Sequence, residues 1–107
     1  MSAKPAGTVL VVDDSKAVRA LLAEVATEAG ALKIEQCASG FEAMRVLPRV
    51  EHLVLVITDV NMPDITGLEL VRFIREQERF KGVPLFIVST DGAAADRETA
   101  MRLGASR

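Results

Sequence analysis

The sequence has one cysteine, no excess of basic residues and no long apolar run, and each lack excludes a class of protein. Because Cys37 is alone, the chain forms no internal disulfide, which is typical of a reducing compartment such as the cytoplasm. The formal net charge of -2 gives no basic surface for nucleic acid. No apolar stretch is long enough to cross a bilayer or to form the core of a signal peptide. We therefore expect a cytoplasmic protein that binds neither nucleic acid nor membrane.

The composition suits one folded domain. The chain has 107 residues, of which 50% are hydrophobic and 26% are charged, enough to form a core without the sparse, highly charged profile of disorder. It contains no internal repeat and no low-complexity tract. We expect residues 1–7 to form a flexible N-terminal lead and residues 8–107 to form the domain.

Short apolar runs alternate with segments of helical periodicity. The predicted strands cover residues 8–12, 33–37, 52–58 and 85–89. The predicted helices begin after Ser15, Ser39 and Gly67, with a weaker one over residues 94–103. Gly30 is expected to end the first helix, and Pro48 to bend or shorten the second. This alternation predicts an α/β fold, a doubly wound parallel sheet with helices on both faces and its first and third strands at the centre.

Acidic residues stand at the ends of two predicted strands. Asp13 and Asp14 directly follow the first strand, and Asp59 follows the third. Open α/β sheets place their sites at the edge where the carboxyl ends of the strands meet. Three carboxylates so close repel one another, and an all-oxygen cluster suits Mg²⁺, which keeps several waters and recruits phosphate. The sequence therefore predicts a Mg²⁺ site, although an Asp13-Asp14 pair taken alone is more often a turn and a helix cap.

Four motifs in a fixed order give the chain a resemblance to a known family. They are Asp13-Asp14, the run from Asp59 to Asp64 with Gly67, the stretch from Pro84 to Ser89, and Leu103-Gly104-Ala105-Ser106. With this order and spacing, residues 8–106 resemble the receiver domain of bacterial response regulators, most closely the single-domain chemotaxis type. The resemblance implies a flavodoxin-like sheet of strand order 2-1-3-4 and a signalling switch of a two-component system.

The resemblance also implies a role for each residue of the site. It implies that Asp59 accepts a phosphoryl group from a histidine kinase or a phosphotransfer protein. Such a chain is a switch, and at most it catalyses its own phosphorylation and dephosphorylation. By the same resemblance, Asp14, Asp59 and the backbone carbonyl of Asn61 bind Mg²⁺ directly, and Asp13 binds it through a water. Ser89 is expected to hydrogen-bond a phosphoryl oxygen and to shift towards the site on activation.

The chain departs from the family pattern at its C-terminus. Receiver domains continue through a fifth strand, which carries a lysine that pairs with the phosphoryl group, and a fifth helix, whereas this sequence ends at Arg107. We expect a chain shortened before its fifth strand, with impaired phosphorylation. The uncharged segment 85–88 is expected to form an open sheet edge that supports self-association, by edge pairing or by exchange of an element. The sequence names neither the cognate kinase nor the downstream effector.

Two other functions stay open from the residues themselves. A Mg²⁺-dependent phosphatase or phosphotransferase also uses an aspartyl nucleophile, but it usually has a second aspartate two residues later. Asn61 occupies that position here and cannot act as a general acid. The other function is an interaction module that no longer depends on phosphorylation. Among the remaining residues, Asp64 is interpreted as a turn residue, Cys37 as a small core residue and His52 as a surface residue.

Overall fold

The computed structural model describes residues 7–60, residue 62 and residues 64–88. Strands and helices alternate within this part of the chain as predicted. They are β1 (Thr8–Val12), α1 (Lys16–Glu28), β2 (Lys33–Cys37), α2 (Gly40–Val46), β3 (Leu53–Asp59), α3 (Gly67–Arg75) and β4 (Leu85–Val88). Short 3₁₀ turns, Leu47–Arg49 and Glu78–Phe80, follow α2 and α3. The helix predicted over residues 94–103 lies outside the described residues.

The described strands form one parallel sheet of order β2-β1-β3-β4, which confirms the predicted topology. β1 pairs with both β2 and β3, and all five of its residues are buried. β3 lies between β1 and β4, so the first and third strands are central as predicted. Parallel pairing sets Val12 opposite Thr58, and the carboxyl ends of β1 and β3 therefore reach the same edge of the sheet.

Helices cover both faces of the sheet. Successive side chains of β1 point to opposite sides, so this strand contributes to a core on each face. The larger core lies between the sheet, α2 and α3, and includes Leu10, Val12, Val56, Leu70, Val71 and Ile74. The smaller core lies under α1 and includes Val9, Val11, Ala26 and Ile57. This three-layer arrangement leaves the two ends of the strands free for loops.

The apolar stripe of α1 is covered only in part. Ala26 is buried and Leu22 packs against the smaller core. Leu21 and Val25, which the helical pattern also places on the apolar face, are 59% and 53% exposed. The sheet therefore covers a narrower strip of α1 than the sequence periodicity indicates.

α1 and α2 begin where the predicted capping residues place them, whereas α3 begins at Gly67, one residue earlier than predicted, after the cap residue Thr66. The Ser15 hydroxyl accepts a hydrogen bond from the N–H of Val18 at 3.2 Å, and the Ser39 hydroxyl accepts one from the N–H of Glu42 at 3.1 Å. A serine in this position stabilises a helix by about 1 kcal/mol relative to alanine. Because helices between parallel strands run antiparallel to them, these capped ends lie at the carboxyl edge of the sheet.

The helices also end as predicted. Gly30 follows α1 with a φ of 110°, a left-handed conformation that costs glycine nothing. α2 stops at Val46, and Pro48 lies in the 3₁₀ turn that follows.

Each helix in the described part of the chain is too short or too polar to cross a membrane.

The domain begins with backbone hydrogen bonds at the amino end of the sheet. The carbonyl oxygen of Gly7 accepts a hydrogen bond from the N–H of Leu32 at 2.9 Å. The N–H of Thr8 donates to the carbonyl oxygen of His52 at 2.9 Å. These contacts join the start of β1 to the segments before β2 and β3. Residues 1–6 of the predicted flexible lead lie outside the described residues.

Arginine side chains join the segments that follow α2 and α3 at this amino end of the sheet. Arg79 donates from Nη1 to the carbonyl oxygen of Pro48 at 3.2 Å and from Nη2 to that of Val50 at 2.8 Å. Its guanidinium carbon lies 4.7 Å from the centre of the Phe80 ring. Arg75 donates from Nη1 to the carbonyl oxygen of Phe80 at 3.0 Å. These contacts satisfy carbonyl groups beyond the helix ends.

Candidate metal centre

Two neighbouring strands deliver three acidic residues to one edge of the sheet. Asp13 directly follows β1, and Asp59 is the last residue of β3. One carboxylate oxygen from each of Asp13, Asp14 and Asp59 can be chosen so that the three lie within 4.8 Å of one another. The two strand ends therefore converge, as the sequence predicts.

Asp13 is fixed by three neighbouring segments. Its N–H donates to the carbonyl oxygen of Cys37 on β2 at 3.1 Å. Its Oδ1 accepts a hydrogen bond from the N–H of Ser15 at 2.8 Å, and its carbonyl oxygen accepts one from Nη1 of Arg19 at 2.8 Å. The residue is only 4% exposed. Asp13 thus forms the buried floor of the acidic cluster.

The other two acids are progressively more accessible. Asp59 is partly buried, and Asp14 is exposed. The cluster is therefore closed on the side of Asp13 and open to solvent on the side of Asp14. Among the described residues, the carboxylate of Asp14 is therefore the most accessible of the three.

The backbone of Asp59 is supported by a close approach of Gly67. The N–H of Gly67 donates to the carbonyl oxygen of Val60 at 2.9 Å, which closes the loop between β3 and α3. A Cβ atom at Gly67 would lie 3.0 Å from the carbonyl carbon of Asp59 and would collide with its oxygen. Position 67 therefore requires glycine, because any side chain there displaces the backbone that carries Asp59.

The donor set fits a hard divalent cation. Three carboxylate oxygens within 4.8 Å of one another repel at neutral pH, and a bound cation relieves that repulsion. Oxygen donors are the ligands that Mg²⁺ prefers, and Mg²⁺ commonly binds through one or two carboxylates while keeping its waters.

Two residues that the resemblance assigns to the site, Asn61 and Ser89, lie outside the described residues. Their roles, as a backbone ligand of Mg²⁺ and as a hydrogen-bond donor to the phosphoryl group, stay predictions. The residues that precede them, Val60 and Val88, are described. The N–H of Val60 donates to the carbonyl oxygen of Val88 at 3.3 Å, so the carboxyl ends of β3 and β4 are adjacent.

Asp64 has a role that the sequence interpretation missed. Its carboxylate accepts hydrogen bonds from the N–H groups of Gly40 at 3.2 Å, Phe41 at 2.8 Å and Ile65 at 2.7 Å. These donors, that of Phe41 foremost, lower the pKa of Asp64 to about 2. It is a turn residue, as interpreted, but it also binds the start of α2. No local pattern signals this, because Gly40 and Phe41 precede Asp64 by 24 and 23 residues.

Cys37 lies beside the cluster without taking part in it. Its side chain is fully buried, and burial raises the pKa of its thiol to about 12. The thiol is therefore protonated at neutral pH, whereas a thiol acts as a nucleophile or a metal ligand in its deprotonated form. Cys37 is a core residue, as the sequence indicates.

Comparison with known proteins identifies the family. The family model described as the response regulator receiver domain matches residues 9–107. A chemotaxis protein CheY homolog of Campylobacter jejuni is 36% identical over 95 residues, which cover 89% of this chain and 73% of the relative. Chemotaxis protein CheY1 of Helicobacter pylori is 35% identical over 95 residues, which cover 89% of this chain and 77% of that protein.

The solved structures agree with the sequence comparison. The chemotaxis response regulator CheY4 of Vibrio cholerae superposes with a TM-score of 0.82 at 31% identity. The superposition covers 92% of this chain and 81% of that one. The parallel sheet of order β2-β1-β3-β4 is the flavodoxin-like arrangement of such receiver structures. The chain belongs to the response regulator receiver domain family of two-component signalling.

Proposed function

We propose that this chain is a phospho-accepting switch in which Asp59 takes a phosphoryl group from a histidine kinase or a phosphotransfer protein. Mg²⁺ is held by Asp14, Asp59 and the backbone carbonyl of Asn61, and by Asp13 through a water. The observation that carries the proposal is the convergence of the three carboxylates within 4.8 Å at the carboxyl edge of the sheet.

The proposed chemistry is a phosphoryl transfer between two side chains. A carboxylate oxygen of Asp59 attacks the phosphorus in line, and an O–P bond forms as the P–N bond of the donor phosphohistidine breaks. The donor imidazole leaves with the electron pair of the broken bond and takes up a proton. When bound, Mg²⁺ offsets the negative charge of the carboxylates and of the phosphoryl oxygens.

The surroundings of the three acids favour Asp59 as the acceptor. Asp13 is 4% exposed, and one of its oxygens accepts a hydrogen bond from the N–H of Ser15. Its carboxylate is therefore poorly placed to reach a phosphoryl donor. Asp59 stands at the end of a rigid central strand and is partly accessible, and a rigid element positions a nucleophile more accurately than a loop does. In this proposal Asp14, the exposed acid, acts only as a ligand of the cation.

Phosphorylation then acts on the rest of the domain through Ser89 in this proposal. The phosphoryl group on Asp59 brings additional negative charge and acceptor oxygens to the edge of the sheet. The Ser89 hydroxyl donates to one of these oxygens and moves towards the site. The shift in population between the two arrangements is the signal that a downstream effector reads.

Phosphorylation of Asp59 is tested with a small phosphodonor and intact-mass measurement. Wild-type chain with acetyl phosphate and Mg²⁺ is expected to gain one phosphoryl group slowly and in part only, in keeping with the impaired phosphorylation expected above, and Asp59→Asn is expected to gain none. Glu51→Gln, a charge-matched change at an exposed acid away from the cluster, serves as the control and should behave as wild type. A phosphoryl group that still attaches to Asp59→Asn would refute the assignment.

We further propose a cytoplasmic location and self-association through β4. Among the described strands, β4 forms one edge of the sheet, its residues are uncharged, and Phe86 is 41% exposed. Light scattering over a range of concentrations should show dimers that Phe86→Lys reduces. A wild-type chain that stays monomeric at high concentration would contradict this part of the proposal.

A further inference from the structure

The loop between β3 and α3 is fastened to α2 by Asp64. The loop leaves β3 directly after Asp59 and is closed by the hydrogen bond between the N–H of Gly67 and the carbonyl oxygen of Val60. Midway along it, the Asp64 carboxylate accepts hydrogen bonds from the first two N–H groups of α2, those of Gly40 and Phe41. A segment that begins at the acidic cluster is thus tied to an element more than 20 residues earlier in the chain.

Hydrophobic packing supports the same junction. Ile65 and Met62 pack against the larger core, which anchors the loop on both sides of Asp64 in the sequence. A Cβ atom at Gly40 would lie 3.6 Å from Cβ of Ile65 and much closer to its Cγ1 and Cδ1. The absence of a side chain at Gly40 therefore lets the first turn of α2 rest directly on the loop.

α2 has a local cap that is independent of Asp64. The Ser39 hydroxyl accepts a hydrogen bond from the N–H of Glu42, and the Glu42 carboxylate accepts one from the N–H of Ala38 at 2.7 Å. These two contacts satisfy backbone N–H groups at the start of α2 without Asp64. The contacts of Asp64 are additional to these, and their distinct consequence is to connect the loop to the start of α2, next to the packing of Ile65 on Gly40.

We infer that Asp64 is a positioning residue of the metal and phosphoryl site, which holds the loop that follows Asp59 against the start of α2. The inference rests on the proposed function, because it concerns the binding of Mg²⁺ at the acidic cluster that contains Asp59. Asp64 does not bind the cation itself. It holds residues 64 and 65 against the start of α2, and it couples the start of α2 to cation binding at Asp59.

NMR tests the inference best, because the chain has neither tryptophan nor tyrosine as a fluorescent reporter. In the wild-type chain, a Mg²⁺ titration should shift the amide resonances of Asp14 and Asp59 and also those of Gly40 and Phe41. In Asp64→Ala, the Asp14 and Asp59 resonances should still shift, whereas those of Gly40 and Phe41 should not. The Mg²⁺ affinity should fall by about 3- to 10-fold. This loss is smaller than the roughly 10- to 100-fold loss seen when a group that hydrogen-bonds a metal ligand directly is removed.

Ser39→Ala is the matched control, since it removes a cap from the same helix end and leaves the contact with the loop intact. It should lower the stability of the chain but keep the Mg²⁺ affinity within about two-fold of wild type and keep the response of Gly40 and Phe41. Asp64→Asn retains one acceptor oxygen and should lie between wild type and Asp64→Ala. Asp64→Asn also replaces Asp64→Ala as the test variant if Asp64→Ala does not fold.

The outcomes separate this inference from the function on which it rests. A wild-type chain that binds Mg²⁺, with an Asp64→Ala variant of equal affinity and unchanged response at Gly40 and Phe41, would overturn the inference alone. An equal loss of affinity in Ser39→Ala and Asp64→Ala would also overturn it, because helix stability would then explain the effect. A wild-type chain that does not respond to Mg²⁺ would refute the proposed function and this inference together.

Discussion

At the carboxyl edge of the sheet, acidic and hydroxyl side chains accept hydrogen bonds from the N–H groups at the starts of the helices. At the amino end, arginines donate to carbonyl groups beyond the ends of α2 and α3. Both arrangements satisfy the backbone groups that a helix leaves unpaired, and both match the sign of the helix dipole. The two ends of the sheet differ in how their charged side chains are arranged.

At the amino end, the guanidinium groups of Arg75 and Arg79 each donate hydrogen bonds to backbone carbonyl oxygens. The carboxyl edge instead gathers Asp13, Asp14 and Asp59 close together. Packing and capping do not require three acids in contact, and such like-charge clusters cost stability. The amino end therefore contributes to stability, whereas the three acids of the carboxyl edge could hold a ligand that carries positive charge.

Gly67→Ala should have the largest effect, because it should lower both the stability of the chain and the capacity of the carboxyl edge to bind a cation. The added methyl group collides with the Asp59 carbonyl, so the free energy of unfolding should fall by about 3 kcal/mol and the Mg²⁺ affinity should fall with it. Urea unfolding and a Mg²⁺ titration measure the two effects. Gly82→Ala is the control, because a Cβ atom there has nothing within 4 Å. Equal stability of the two variants would contradict the close approach of Gly67 to Asp59.

Asp14→Asn should separate stability from ligand binding. Removing one carboxylate from the cluster should weaken Mg²⁺ binding by about 10-fold or more, since hard cations depend on charged oxygen ligands. In Mg²⁺-free buffer the same change should raise the free energy of unfolding by about 0.5 kcal/mol, because it relieves repulsion. Glu24→Gln, at an exposed acid of α1, should change neither quantity. A lower stability of Asp14→Asn without Mg²⁺ would count against repulsion in the cluster.

Arg79→Ala should produce the opposite pattern at the amino end. Loss of the hydrogen bonds to Pro48 and Val50 should lower the free energy of unfolding by about 1 kcal/mol. The Mg²⁺ affinity should stay within about two-fold of wild type, since the arginine lies at the far end of the strands. Lys81→Ala, which removes an exposed ion pair with Glu78, is the control and should be nearly neutral. A Mg²⁺ affinity that falls with Arg79→Ala would break the separation of the two ends.

The pH dependence of stability should show a small contribution from Asp64. Its pKa is lowered from 3.8 to about 2 in the folded chain, so the unfolded chain binds the proton more tightly. The contribution is therefore complete above the usual pKa and is lost as the pH falls through the folded value. The difference in urea midpoint between wild type and Asp64→Asn should be present at about pH 5 and should shrink towards about pH 2. A difference that grows on acidification would contradict the contact with Phe41.

The sequence could predict features that depend on local patterns or on topology. β1 and β2 have the predicted bounds, and Ser15, Ser39 and Gly30 mark helix ends as expected. Each of these follows from side chains within a few positions of one another. The convergence of the acids also follows, because parallel strands must bring their carboxyl ends to one edge.

The sequence could not predict contacts between distant segments. Asp64 binds N–H groups of α2, and Arg79 binds carbonyl groups about 30 residues away, so neither leaves a periodic pattern. Helical spacing groups Leu21 and Val25 with the apolar face of α1, and the described elements leave both residues exposed. Periodicity states which residues share a face, and only the neighbouring elements decide how much of that face is covered.

Because β1 is buried on both faces, the register of this strand fixes the position of the acidic cluster. The residues of β1 alternate between the two cores, Leu10 and Val12 on one side and Val9 and Val11 on the other. Sliding the strand by a single position would swap these sets and carry Asp13 away from Asp59 at the same moment. A misaligned chain would therefore lose its hydrophobic interior together with its acidic cluster, so molecules that fold correctly hold the three carboxylates in one arrangement.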